Sequence, residues 1–116
     1  MRGRRILTEE GVESNFAVGN LSRYVLTTRL LGLLSSSTRP SSQSRIVVIG
    51  GVAQNGKIFY DDMNLTANFS TLRAVTQFCE ANDVFVIEQA RRLAQTGTSS
   101  RVTINELKVG VVRTSI

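Results

Sequence analysis

The sequence predicts an α/β fold containing at least one strand-helix-strand unit with a parallel strand pair. Three observations carry this. Ser70 to Ala94 has apolar side chains at Leu72, Val75, Phe78, Cys79, Ala81, Phe85, Val86, Ala90 and Leu93, mostly three or four apart, the spacing of one helix face. Short β-branched runs flank it, Arg45 to Ile49 before and Arg101 to Asn105 after. The helix between them is long enough to carry the crossover that parallel strands need.

Taken in order, the chain starts with a basic segment, Arg2, Arg4 and Arg5, and then places Thr8 before Glu9 and Glu10, a pattern that predicts a helix N-terminus there. Phe16, Ala17, Leu21, Tyr24, Val25, Leu31 and Leu34 continue at helical spacing to the serine run at Ser35 to Ser37. Arg23 and Arg29 interrupt that pattern, which argues against a membrane span. Residues 35–44, with Thr38 and Pro40, read as a flexible polar loop. The strand from Arg45 is apolar on both faces, as for a strand inside a covered parallel sheet. Gly50 to Phe69 reads as loop. In the next helix Ser70 or Thr71 supplies an N-cap, Arg91 and Arg92 suit the C-terminal dipole, and Gly97 ends it. After Asn105 the segment LKVGVVRTSI reads as a tail.

The 116 residues make one domain at most, with 41% apolar residues and a net charge of +5. The charge raises nucleic-acid binding as a reading, but the basic residues are spread along the chain, which argues against it. Histidine is absent and Cys79 is the one cysteine. That removes His-based proton transfer, Cys-His nucleophiles, internal disulfides and the common metal sites. With no apolar leader, the expected location is intracellular and soluble, cytoplasmic or mitochondrial.

Two local patterns suggest chemistry. Gly51 to Ile58, GVAQNGKI, fits a phosphate-binding loop except at its end, where Ile58 replaces the Ser or Thr that would hold magnesium. The next six residues, FYDDMN, do not open a helix whose N-terminus could cradle a phosphate. Asp61 and Asp62 form a carboxylate pair with no third ligand nearby in sequence, and adjacent loop acids ordinarily hydrogen-bond nearby backbone.

Four ordered blocks carry a more extensive likeness: NFAVGNLSRYVLT, RIVVIGGVA with GKIFYDD, LRAVTQFCEAND and INELKVGVVRTSI. Together they resemble the second half of a short-chain dehydrogenase/reductase, closest to the retinol-dehydrogenase-like members, from about Thr8 to Ile116. The resemblance implies a partial Rossmann-like unit, helix, strand, helix and parallel strand, lacking the N-terminal half that carries the glycine-rich dinucleotide turn. It also implies a reacting set of Asn, Ser, Tyr and Lys, in which Tyr moves the proton and Lys lowers its pKa. The matching positions here hold Gly19, or Asn20 with a shift of one, then Gly51, Val75 and Cys79, and no Tyr-x-x-x-Lys occurs. The expectation is therefore a truncated chain with no catalytic residues, no metal and no cofactor. Gly110 and Thr114 would be the relics of a cofactor site, and NAD(P) the cofactor if the chain is instead part of a working oxidoreductase completed by another chain.

In the family the two long helices commonly pack against the same pair of another subunit. The resemblance thus implies a protein partner or a homo-oligomer, held through those helices and the open strand edges. Phe16, Tyr24, Phe78 and Phe85 are the interface candidates, each able to serve the internal core instead.

Overall fold

A computed structural model describes residues 3–36, 43–51, 56–98 and 101–109. Helix α1 (Ser14–Phe16) runs through a π-helical turn (Ala17–Leu21) into α2 (Ser22–Ser35), then strand β1 (Ser44–Gly51), helix α3 (Thr71–Gln95) and strand β2 (Val102–Val109). A short 3-10 turn, Tyr60–Asp62, interrupts the connection between β1 and α3. The two strands pair in parallel from Ser44 opposite Val102 to Gly51 opposite Val109, so the predicted order of strand, helix and parallel strand holds.

Helix α3 begins where its sequence directs. Ser70 is extended, and its hydroxyl accepts a hydrogen bond from the Arg73 amide at 3.1 Å. Past its end Gly97 takes φ +69°, the left-handed conformation in which a side chain is strained. Phe85, Val86 and Leu93 of α3 pack on Val48, Val102 and Ile104 of the sheet, with Leu31 and Leu34 of α2 and Ile46 at the margin. This cluster sits over the N-terminal and middle parts of the strands.

Four sequence-based expectations are corrected. The first helix starts at Ser14, not at Thr8, because residues 7 and 13 form an antiparallel bridge and the Glu13 carboxylate caps the helix by accepting from the Asn15 and Phe16 amides at 3.0 and 2.9 Å. Glu13 is only 1% exposed, so the cap is buried with it. The segment after Asn105 is strand as far as Val109, and Glu106 and Lys108 take alternate positions along it. Strand β1 is not covered on both faces: Val48 is buried, whereas Val47 and Ile49 are half exposed on the opposite side. Finally, Leu72 and Ala90 lie outside the buried stripe of α3, Leu72 being 73% exposed.

The connection between β1 and α3 is tied down by side chains. Gln77 of α3 accepts from the Phe59 amide and donates to the Met63 carbonyl, and the Asn64 side chain bridges the Glu13 amide and the Gly11 carbonyl. Leu65, fully buried, takes φ +50° at the centre of this lock. Of the polar loop 35–44, residues 37–42 lie outside the described residues, as do 52–55 of the GVAQNGKI segment.

Candidate functional site

In a parallel α/β sheet the strands deliver their C-terminal ends to the crevice where ligands bind. Here those ends are Gly50, Gly51, Glu106 and Lys108, and α3 presents Val75, Cys79 and Asp83 beside them. The π-helical turn brings Gly19 and Asn20 to the same helix.

Residues far apart in sequence meet at these positions. A Cβ on Gly51 would stand 2.9 Å from the Cys79 sulfur, so the strand end and the helix are in contact there without room for a side chain between them. A Cβ on Gly19 would come within 2.7 Å of the Phe78 ring. Phe78 thus occupies the space beside Gly19, one residue before Cys79. Val75, half-buried, lies one helical turn before Cys79. Asn20 is buried and donates to Asn82 Oδ1 at 2.9 Å, while Asn82 Nδ2 donates to the Gly19 carbonyl at 3.1 Å. Asn82 is 0% exposed, and its side-chain amide ties Gly19 and Asn20 of the π-helical turn to α3.

The structure brings Gly51 against Cys79 and sets Gly19 against Phe78, the neighbour of Cys79, so the four positions suggested by the resemblance carry two glycines, a valine and a thiol along one stretch of α3. The Cys79 thiol is pushed up by burial, against the opposing pull of the Gly51 backbone and Arg23. A buried thiol in that condition is a poor nucleophile and a small apolar filler. The charged group that titrates near neutrality is Glu106, which sequence reasoning missed. Burial and then the Asp83 carboxyl push it from 4.5 up to about 7. Its signal in the sequence is faint: an acid on the helix-facing side of a strand, in phase with Val102 and Ile104.

The remaining candidates each have a definite place. Asp62 is committed to the backbone, accepting from the Ala67 and Thr66 amides at 3.0 and 2.7 Å, and these hold its carboxyl below the ordinary range. Among the described residues no group of three or more Cys, Asp or Glu is placed to hold a metal ion. No described helix is long and apolar enough to cross a membrane. Gly110 and Thr114 lie outside the described residues. Arg91 and Arg92 are both tied to Glu88 at 2.7 Å. Of the four aromatic interface candidates, Phe16 and Phe85 are buried within the chain and Phe78 is half-buried over Gly19. Tyr24 is 42% exposed and meets Phe85 edge-on, with ring centroids 5.9 Å apart.

No protein-family model matches the chain. Individual proteins do. It is 39% identical over 110 residues to retinol dehydrogenase 14 of Homo sapiens, across 94% of this chain and 30% of that protein. It is 36% identical over 118 residues to retinol dehydrogenase 13 of Homo sapiens, across 100% of this chain and 33% of that protein. The short-chain dehydrogenase TIC 32 A, chloroplastic, of Brassica napus is 30% identical over 115 residues, covering 95% of this chain and 35% of its own length. A crystal structure of a protein from Mycobacterium paratuberculosis superposes with a TM-score of 0.70 at 28% identity, over 92% of this chain and 36% of that one. The chain spans about a third of the length of the curated relatives it matches. With the ordered blocks, the parallel unit and these relatives in agreement, the chain belongs to the short-chain dehydrogenase/reductase family and holds a partial Rossmann-like unit of it.

Proposed function

We propose that this chain acts as a non-catalytic, short-chain-dehydrogenase-like structural or interaction subunit of a larger assembly. One observation carries the reading. The positions that match the family's Ser, Tyr and Lys hold Gly51, Val75 and Cys79, and Gly51 and Cys79 pack so closely that a side chain on the first would clash with the second. A valine cannot give or take a proton, and a buried thiol cannot supply the fixed positive charge of a lysine. Restoring a hydroxyl at Gly51 would require Cys79 to move as well.

Surface composition supports the interaction half of the reading. The face of the sheet away from α3 exposes Val47, Ile49, Leu107 and Val109, and Leu26, Leu30 and Leu33 of α2 are also exposed. Within the two-stranded sheet of the described residues, each strand pairs on one edge, and such a sheet is marginal by itself. A protein partner or a second copy bound through α2, α3 and the strand edges would cover these surfaces, with Tyr24 at the rim of the groove between the two helices.

The names of the relatives, retinol dehydrogenases among them, favour a second reading in which the chain is part of an NAD(P)-dependent oxidoreductase completed by another chain. Adding NADPH to the gently purified chain with its co-purifying proteins, then all-trans-retinal, separates the two. On the structural reading NADPH fluorescence is unchanged by this chain and no retinal is reduced above the level of the partners alone. Tight NADPH binding with turnover that requires this chain defeats it.

A further inference from the structure

The C-terminal end of β2 meets α3 through charged groups. Lys108 Nζ donates to Asp83 Oδ2 at 2.5 Å, and Glu106, two residues earlier on the same side of the strand, brings its carboxyl to Asp83 as well. The Glu106 side chain lies over Gly50, where a Cβ would fall within 2.0 Å of Oε1. Any residue but glycine at position 50 would displace it. Glu106 Oε1 is buried and has no hydrogen-bond donor.

The surrounding elements leave the pair one charge short. From α3 come Glu80, Cys79 and Asp83, from β2 Lys108, and from α2 Arg23, whose Nη1 is itself buried without an acceptor. Strand β1 contributes Gly50 and no charge. Of the two carboxylates only Asp83 is bonded by the Lys108 ammonium; Glu106 feels Lys108 through space alone, and Arg23 as a more distant charge, the weakest of its influences. A proton is the smallest species that neutralises the excess and also gives the orphaned carboxyl a donor toward Asp83.

We propose that Glu106, Asp83 and Lys108 form a proton-operated latch, which holds the C-terminal end of β2 against α3 while Glu106 carries its proton and loosens it when the proton leaves. With the proton in place, Glu106 donates to Asp83, Asp83 accepts from Lys108, and the three groups carry no net charge. Without it, two anions abut at a partly buried site and Glu106 must leave its seat over Gly50 to reach water. Asp83 stays ionised throughout: against burial, which works the other way, hydrogen bonds from Lys108 and Glu106 hold its carboxyl below the ordinary range. The sign is set by Glu106. Its folded-state value lies above the ordinary 4.5, at about 7, so the latch is fully closed below the ordinary value and opens as pH rises through that window. The latch is independent of whether the chain is catalytic.

Carboxyl carbon NMR titration of the full chain tests it, with Asp83→Asn and Glu106→Gln beside the wild type. In the wild type one glutamate titrates with a midpoint near 7, and the amide shifts of Leu107 to Val109 track the same midpoint. Asp83→Asn returns that glutamate toward the others. Glu106→Gln, which keeps a neutral donor in place, removes the midpoint and leaves the Leu107 to Val109 shifts flat across the window. If the amide spectrum of the wild type is dispersed as for a folded chain and every glutamate nonetheless titrates in the ordinary range of about 4 to 5, the latch does not exist. A high midpoint to which Leu107 to Val109 do not respond overturns it equally, because the proton would then move nothing.

Discussion

Helices α2 and α3 contrast in how far this chain covers them. In α3 eight residues are buried, Ala74, Gln77, Cys79, Asn82, Phe85, Val86, Gln89 and Leu93, along one stripe, and its uncovered side mixes charged residues with the exposed Leu72, Val84 and Ile87. In α2 only Thr27 is buried, although Val25, Leu26, Leu30, Leu31, Leu33 and Leu34 make its sequence the more apolar of the two. Apolar content therefore does not track burial here. Helix α3 has one stripe matched to the parts of the fold that the chain itself supplies, and only Leu72, Val84 and Ile87 among its large apolar side chains are left exposed. Helix α2 has apolar residues around most of its circumference, the pattern of a helix buried on more than one side. Leu26 and Leu30 continue into the exposed Val47 and Ile49 of β1 along one groove, so the uncovered part of α2 and the uncovered part of the sheet form a single surface. On the proposed reading this contiguous apolar surface is where the partner would bind.

The contrast is broken most severely by truncating the centre of the covered side. Phe85→Ala removes a ring that is 8% exposed, lies in the core cluster and meets Tyr24 edge-on. Urea unfolding monitored by circular dichroism should show a loss of about 3–5 kcal/mol. A cost below about 1 kcal/mol would mean that α3 is held by contacts outside the described core and that the two helices do not differ as described.

A smaller effect is expected from the polar tie between the helices. Asn82→Ala deletes both hydrogen bonds that join α3 to the π-helical turn, and leaves the Asn20 amide and the Gly19 carbonyl without that partner in a buried place. The expected loss is about 1–3 kcal/mol. Amide exchange should speed up in residues 17–21 well before it does in the remainder of α2. Uniform acceleration along α2 would show that the tie is not what shapes the turn.

These same residues explain how much of the fold is legible in the sequence. Helix α3 is readable nearly to the residue because its periodicity, its Ser70 cap and Gly97 act within a few positions of one another. The parallel strands are readable from β-branched runs on either side of a helix of that length. The start of the first helix is not readable from local signals. Thr8 with Glu9 and Glu10 imitates a cap, but Glu13 performs it because Asn64, 51 residues away, receives the Glu13 amide and fixes the preceding turn. The end of β2 escapes for a related reason: Glu106 and Lys108 break the apolar pattern, and they tolerate the inward side only because Asp83 meets them there. The crevice is legible in part. The resemblance locates Gly19, Gly51, Val75 and Cys79, but spacing alone cannot show that Phe78 fills the space beside Gly19 or that Gly51 touches Cys79.

The least disruptive change gives the sharpest test of what the uncovered surface is for. Leu33 lies on α2, 72% exposed and away from the core cluster. Replacing it by serine removes little that this chain buries, so the unfolding free energy of Leu33→Ser should stay within about 0.5 kcal/mol of the wild type. Sedimentation velocity of the gently purified material should nonetheless change, with the wild type in a larger species than the variant, because an apolar side chain at an interface is buried only when the partner is present. Two results would undo the comparison in different ways. A stability loss as large as that of Phe85→Ala would mean that the chain covers the outer side of α2 itself, and the difference between the helices would vanish. Unchanged stability with unchanged sedimentation would leave α2 uncovered in fact, and would move the interface to the sheet face at Val47, Ile49 and Leu107, the remaining part of the same apolar surface.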